Sequence, residues 1–122
     1  INRLSNKLKK ILKRTVKLTK KNKRINVNLA INYGSKKEIV NAVKKTNKLN
    51  LKNLEKNLYT NSIPDPDILI RTGGFRRLSD FMIYQSSFTE LFFTKKLWPD
   101  LRNNDLSRIF YKYLNTERKF GL

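Results

Sequence analysis

The sequence predicts an α/β fold, a parallel sheet flanked by helices, and three observations carry the prediction. Asp67-Ile68-Leu69-Ile70-Arg71 is a short run of branched side chains, the length of a strand buried on both faces of a parallel sheet. Glu90-Leu91-Phe92-Phe93-Thr94 is a second short apolar run. Elsewhere apolar residues recur at helical spacing, so strand, helices and strand form the crossover unit that parallel pairing requires. With 122 residues there is room for one domain, spanning 1–122, with one modest core.

Each element follows from its local pattern. Leu4, Leu8, Ile11, Leu12, Thr15, Val16 and Thr19 place an amphipathic helix over 4–20, with its apolar stripe suited to packing on a sheet. Lys20 to Arg24 is a charged turn. Ile25 to Ile31 alternates apolar and polar side chains and predicts a strand, ended by Asn32-Tyr33-Gly34. Ser35-Lys36-Lys37-Glu38 has the spacing of a capping box, and Ile39, Val40, Ala42 and Val43 supply that helix with a buried stripe. Asn50 is placed to cap a further helix whose Leu51, Leu54 and Leu58 face inward. Pro64 and Pro66 exclude helix from the following loop. Asp65 and Asp67 precede the central strand, at the end of the sheet away from the glycines, and form a turn rather than a metal pair. Trp98-Pro99-Asp100 is a rigid turn with a packed tryptophan. Asn103 or Asn104 caps the last helix, striped by Leu106, Ile109, Phe110, Tyr113 and Leu114 and stopped at Gly121. Lone strands at 25–31, 67–71 and 90–94 leave open edges, which predicts a sticky product for the isolated chain.

The chemistry concentrates after the central strand. Thr72-Gly73-Gly74 ends it, because paired glycines adopt backbone angles that other residues avoid and let a ligand approach the main chain. Ser79-Asp80 then offers cap chemistry for a helix over Phe81 to Tyr84. Arg71, Arg76, Arg77 and Ser79 are thereby crowded into one strand-to-helix turn, at the carboxyl end of a strand, where open parallel sheets bind ligands. Guanidinium groups match phosphate oxygens bidentately. The pattern predicts an anion pocket for a phosphate or diphosphate. Its competitor is a surface turn with solvated arginines, and an unpaired charge ending a buried strand weighs against that.

Composition removes other chemistries. With no cysteine and no histidine there is no disulfide, no thiolate nucleophile, no Cys/His zinc site and no histidine triad, which fits a reducing, cytoplasmic setting. No run of about 20 apolar residues is available to span a bilayer. The net charge of +19 is uneven, with 18 Lys and Arg against two acids in residues 1–60 and ten against seven in 61–122. A basic half invites a nucleic-acid reading, but its charge is mostly lysine with only Tyr33 and Tyr59 as aromatics, so it lacks stacking platforms. It reads as a solvated surface able to attract phosphate-bearing ligands or lipid headgroups. The chain begins at Ile1 and its one methionine is Met82, as expected of a piece of something longer.

Asn32-Tyr33-Gly34, Ile70-Arg71-Thr72-Gly73-Gly74, Arg77-Leu78-Ser79-Asp80-Phe81, Glu90-Leu91, Leu97-Trp98-Pro99-Asp100 and Glu117-Arg118-Lys119-Phe120-Gly121 occur in this order. Together they resemble the C-terminal half of cis-prenyltransferases, in particular the bacterial undecaprenyl diphosphate synthases, over nearly the whole chain. The resemblance implies that fold with its N-terminal half missing. It implies cis-condensation of isopentenyl diphosphate onto an allylic diphosphate, farnesyl diphosphate, with Mg²⁺ as cofactor, to give a polyprenyl diphosphate. Arg71, Arg77, Leu78 and Ser79 match positions that hold isopentenyl diphosphate. Glu90 matches a magnesium ligand supplied across a homodimer interface. A cytoplasmic enzyme touching the inner face of the membrane to release product is the setting implied.

Two departures and one gap accompany the resemblance. Phe75 stands where bacterial members commonly carry an acid, and Lys119 stands where the C-terminal Arg-x-Gly signature has arginine. The family's catalytic aspartate loop, Asp-Gly-Asn-Gly-Arg, is not in these residues, so the chain alone is expected not to turn over. Its alternatives are a non-catalytic diphosphate-binding subunit of a heteromeric prenyltransferase and, more remotely, a basic nucleic-acid-binding module.

Overall fold

Two of the three predicted strands form, and they pair with each other. The computed structural model describes residues 4–119, which fall into two units divided between Tyr33 and Gly34. In the second unit β1 (Ile68–Arg71) and β2 (Glu90–Phe93) lie parallel, with Ile68 opposite Glu90, Leu69 opposite Leu91, Ile70 opposite Phe92 and Arg71 opposite Phe93. Backbone bonds extend the ladder at both ends, Glu90 N to the Asp67 carbonyl (3.0 Å) and Thr94 N to the Arg71 carbonyl (2.9 Å). β1 is half-buried along its length, not buried on both faces as expected, because among the described residues the sheet has one neighbour to offer it.

The helices of this unit are α2 (Ser35–Lys45), the single-turn α3 (Leu51–Glu55) and α4 (Asn103–Leu114), with a 3₁₀ turn at Trp98–Asp100. Asn50 caps α3 as predicted, its side chain accepting from Asn53 N at 2.9 Å. Leu58 is buried but Leu51 is exposed. The capping box at Ser35 does not form. Gly34 is the N-cap of α2, and Glu38 turns into the interior, 1% exposed. There its Oε1 accepts from Tyr59 N (2.7 Å) and its Oε2 from Gln85 Nε2 (3.2 Å), while Gln85 also donates to Thr60 Oγ1 (3.0 Å). Ser35, Glu38 and Gln85 are buried beside the apolar Ala42 and Leu58. A short helix without a broad apolar face is thus held by buried hydrogen bonds as much as by packing.

α4 begins at the predicted asparagines, but its N-cap is Arg102, and Asp105 at N3 reaches back to it, its carboxylate accepting from Arg102 N (2.9 Å) and from Lys96 Nζ (2.8 Å). The Lys96 hydrogen bond, with the Arg102 N–H, holds the Asp105 carboxyl below its ordinary value. Leu106, Ile109 and Tyr113 are half-buried, whereas Phe110 and Leu114 are exposed. Trp98 is 74% exposed, where packing was expected. The helical stripe is real, but no described part of the unit covers its outer edge. Gly121, the expected stop, lies outside the described residues.

In the first unit α1 (Asn6–Thr19) starts at Ser5, whose side chain accepts from Leu8 N at 3.3 Å. None of its residues is buried, so the stripe predicted to pack on a sheet is uncovered. Residues 25–31 form no strand, and Ile25, Val27 and Leu29 are exposed. Alternation specifies two faces, but a strand exists only with a neighbour to satisfy its N–H and C=O groups. Among the described residues no helix is long and apolar enough to cross a membrane.

Candidate functional site: a guanidinium turn

β1 delivers Arg71 to the carboxyl end of the ladder, and the chain then reverses through Gly73 (φ 84°) and Gly74 (φ 81°). Both lie in the left-handed region that glycine enters without strain. A Cβ at Gly73 would meet nothing within 4 Å, so the backbone angle and not close packing demands this residue. Their N–H groups are already used, Gly73 donating to the Lys96 carbonyl (2.8 Å) and Gly74 to that of Thr94 (2.9 Å). The paired glycines therefore shape the turn, but their amides do not face a ligand.

The predicted helix over Phe81 to Tyr84 is absent. Ser79 (φ 51°), Asp80 (φ 63°) and Met82 (φ 46°) all occupy the left-handed region, and the chain runs in successive turns to Thr89. Such residues cost about 1–3 kcal/mol each and persist where surrounding contacts hold them. For Asp80 those contacts come from α2. Asp80 caps that helix instead of its own: its carbonyl accepts from Ser35 N (2.8 Å) and its Oδ1 from Lys36 N (3.0 Å). Ser35 Oγ in turn accepts from Ile83 N (3.2 Å). A carboxylate at a helix N-terminus is favoured by the helix dipole and by its unpaired N–H groups. Gly34 makes room for it, because a Cβ there would lie 2.7 Å from Asp80 Oδ2. Gly34→Ala is expected to push Asp80 off the helix, costing about 1–3 kcal/mol of stability. The same variant should bind diphosphate more weakly, which paired melting and calorimetric titrations would show.

This anchored turn gathers the arginines. The Arg77 guanidinium lies 4.2 Å from the Phe75 ring centroid and that of Arg71 lies 5.9 Å from it, so one ring serves two cations. Arg76, Arg77 and Ser79 are exposed, and Arg71 and Leu78 are half-buried. The Leu78 carbonyl accepts from Phe81 N (3.0 Å). The N–H groups of Arg77, Leu78 and Ser79 donate to no acceptor among the described residues. The two guanidiniums share one ring, and the Ser79 hydroxyl and the N–H groups of residues 77–79 belong to the same short turn; groups of these kinds can hold adjacent phosphate groups.

Glu90 stands apart from this surface. It opens β2 opposite Ile68, three residues before the partner of Arg71, hence about 10 Å away along the strand. Because side chains alternate, Glu90 also points to the other face of the sheet from Arg71. Among the described residues no group of three or more acidic side chains could hold a metal ion. A cleft of about 370 Å³ lined by Lys52, Glu55, Asp65 and Tyr84 lies elsewhere and contains none of the predicted site residues.

Sequence reasoning missed what holds the turn. Asp80 could be recognised as a cap, but its helix lies 44 residues upstream. Arg118 also escaped notice as a clamp. It donates to Asp67 Oδ1 (2.7 Å), the Tyr113 hydroxyl (2.9 Å) and the Phe88 carbonyl (3.1 Å), tying the entrances of both strands to the segment after α4. Among the described residues Lys119, the departure from the C-terminal signature, makes only a long exposed pair with Glu117 (3.8 Å).

A family model described as "Putative undecaprenyl diphosphate synthase" matches residues 1–121. An isoprenyl transferase of Oceanobacillus iheyensis is 42% identical over 106 residues, covering 78% of this chain and 42% of the relative. A tritrans,polycis-undecaprenyl-diphosphate synthase (geranylgeranyl-diphosphate specific) of Picrophilus torridus is 39% identical over 132 residues, covering 99% of this chain and 52% of the relative. The chain therefore spans about half the length of the curated relatives it matches. Among solved structures, lavandulyl diphosphate synthase from Lavandula x intermedia in complex with dimethylallyl diphosphate superposes with a TM-score of 0.90 at 33% identity, over 99% of this chain and 57% of that one. A "probable undecaprenyl diphosphate synthase" from Campylobacter jejuni superposes with a TM-score of 0.85 at 35% identity, over 99% and 59%.

Proposed function

Since the chain belongs to the undecaprenyl diphosphate synthase family, we propose that it is the C-terminal part of a cis-prenyltransferase domain and supplies that enzyme's isopentenyl diphosphate site. The observation that carries the proposal is the gathering of Arg71 and Arg77 about one ring at the carboxyl end of β1. In this reading the two guanidiniums take the diphosphate oxygens, and Ser79 Oγ and the open amides of residues 77–79 orient them. Fixed cations here position the nucleophilic double bond of isopentenyl diphosphate against an allylic diphosphate, farnesyl diphosphate by the family resemblance. The catalytic aspartate loop belongs to the part of the protein upstream of these residues.

The family resemblance also brings Mg²⁺, with Glu90 as its protein ligand. A single carboxylate with diphosphate and water oxygens suits this hard cation, which keeps several waters and takes few protein ligands. When bound, Mg²⁺ would neutralise charge on the departing diphosphate. Glu90 lies at the opposite end and face of the ladder from Arg71, which supports a role for it at the site of a second copy. Each catalytic centre would then draw on two chains of a homodimer.

The test is to mix two defective full-length proteins, Arg77→Ala and Glu90→Ala, and to follow labelled isopentenyl incorporation with magnesium. With isopentenyl diphosphate held well below KM, Glu90→Ala alone is expected to be nearly inactive and Arg77→Ala alone to keep about a tenth of the activity. After mixing, heterodimers carry one intact centre, so activity should recover to about a quarter of the unmodified protein's. No recovery would reject the shared site, and full activity of Arg77→Ala alone would reject the diphosphate site.

A further inference from the structure

We propose that Phe75 is a positioning residue, a ring on which Arg71 and Arg77 are stacked so that both guanidiniums present their charge to one diphosphate. The inference rests on the diphosphate reading of this turn and names what organises it. Guanidiniums repel each other, and two exposed ones on a short loop would swing apart unless something held them. Phe75 is 49% exposed, sits directly after Gly73 and Gly74, and lies within cation–π range of both. Its ring is an electrostatic partner with no net charge. A carboxylate here would also draw the arginines together, but by neutralising them. The aromatic face aligns them and leaves both positive charges for the ligand. At 4.2 Å the ring also covers one side of the Arg77 guanidinium, and that strengthens its remaining contacts. Arg77, at 4.2 Å, is held more firmly than Arg71, at 5.9 Å, so the larger effect falls on the Arg77 contact.

The experiment measures steady-state kinetics of the full-length protein with isopentenyl diphosphate as the varied substrate. The variants are Phe75→Leu, Phe75→Trp, Phe75→Glu and Arg77→Ala, each with a melting curve. Two exposed cation–π contacts predict that Phe75→Leu raises KM about five- to tenfold, with kcat and melting temperature nearly unchanged. Phe75→Trp should keep KM within about twofold, since its ring is the better cation partner. Phe75→Glu, the acid bacterial members commonly carry here, should still draw the arginines together and keep KM below that of Phe75→Leu, while flattening its dependence on salt because the carboxylate neutralises part of their charge. An unchanged KM in Phe75→Leu, while Arg77→Ala raises it, overturns the role of Phe75 and leaves the diphosphate site standing. An unchanged KM in Arg77→Ala overturns the site reading itself. If Phe75→Leu shifts melting and Phe75→Trp does not restore KM, the ring is merely structural and the proposal fails.

Discussion

Replacing Arg71 and Arg77 together with alanine is expected to raise the KM for isopentenyl diphosphate about a hundredfold or more, with little change in melting temperature. A charge-assisted hydrogen bond contributes about 1.5–3 kcal/mol, and the lower figure applies to a turn this open to solvent. Two such losses bring the expected change to about 3 kcal/mol, which is a little over a hundredfold in affinity. Folding should be indifferent, because neither guanidinium forms a salt bridge within the described residues. Lysine at both positions should restore only part of the affinity, since an ammonium supplies charge without the planar fork. The rival reading of the basic half is tested by the same protein. Nucleic-acid binding that weakens steeply with salt yet survives both alanines would mark the lysines of residues 1–60 as the functional surface.

The largest structural effect is expected from Glu38→Ala. Its carboxylate is buried and receives the Tyr59 N–H and the Gln85 amide, so its removal strands two donors in an interior with little apolar mass. A buried donor left unmatched costs about 1–3 kcal/mol. The substitution should therefore remove about 3 kcal/mol or more and lower the melting temperature by on the order of 10 °C. Glu38→Gln should fall between, because its oxygen can still accept from Tyr59 while its amide opposes that of Gln85. A melting curve unchanged in Glu38→Ala would show that this network is incidental to folding.

The strands were legible where side-chain chemistry is local. Branched and aromatic runs at 68–71 and 90–93 read as strands, and the glycines between them set the reversal. Helix starts were legible as chemistry but not as address. Asp80 has cap chemistry and does cap a helix, yet it is the one at Ser35, brought there by the fold. Ser35 and Glu38 have the spacing of a capping box, but both face inward and serve Ile83, Tyr59 and Gln85. The misplaced strand at 25–31 has the same cause, since a pattern of alternation names two faces and no neighbour. Crowding of Arg71, Arg77 and Ser79 in one turn was visible in order alone. That the Phe75 ring would come within reach of both guanidiniums was not, because ring orientation depends on backbone angles set by the two glycines before it.

Gly73 and Gly74 are fastened through their N–H groups to the residues at the exit of β2. The loop is riveted along one side before any substrate arrives, so capture need not freeze a wandering segment. Binding there should carry a small entropic penalty and fast, single-exponential arrival kinetics, in the manner of a rigid socket and unlike a closing flap.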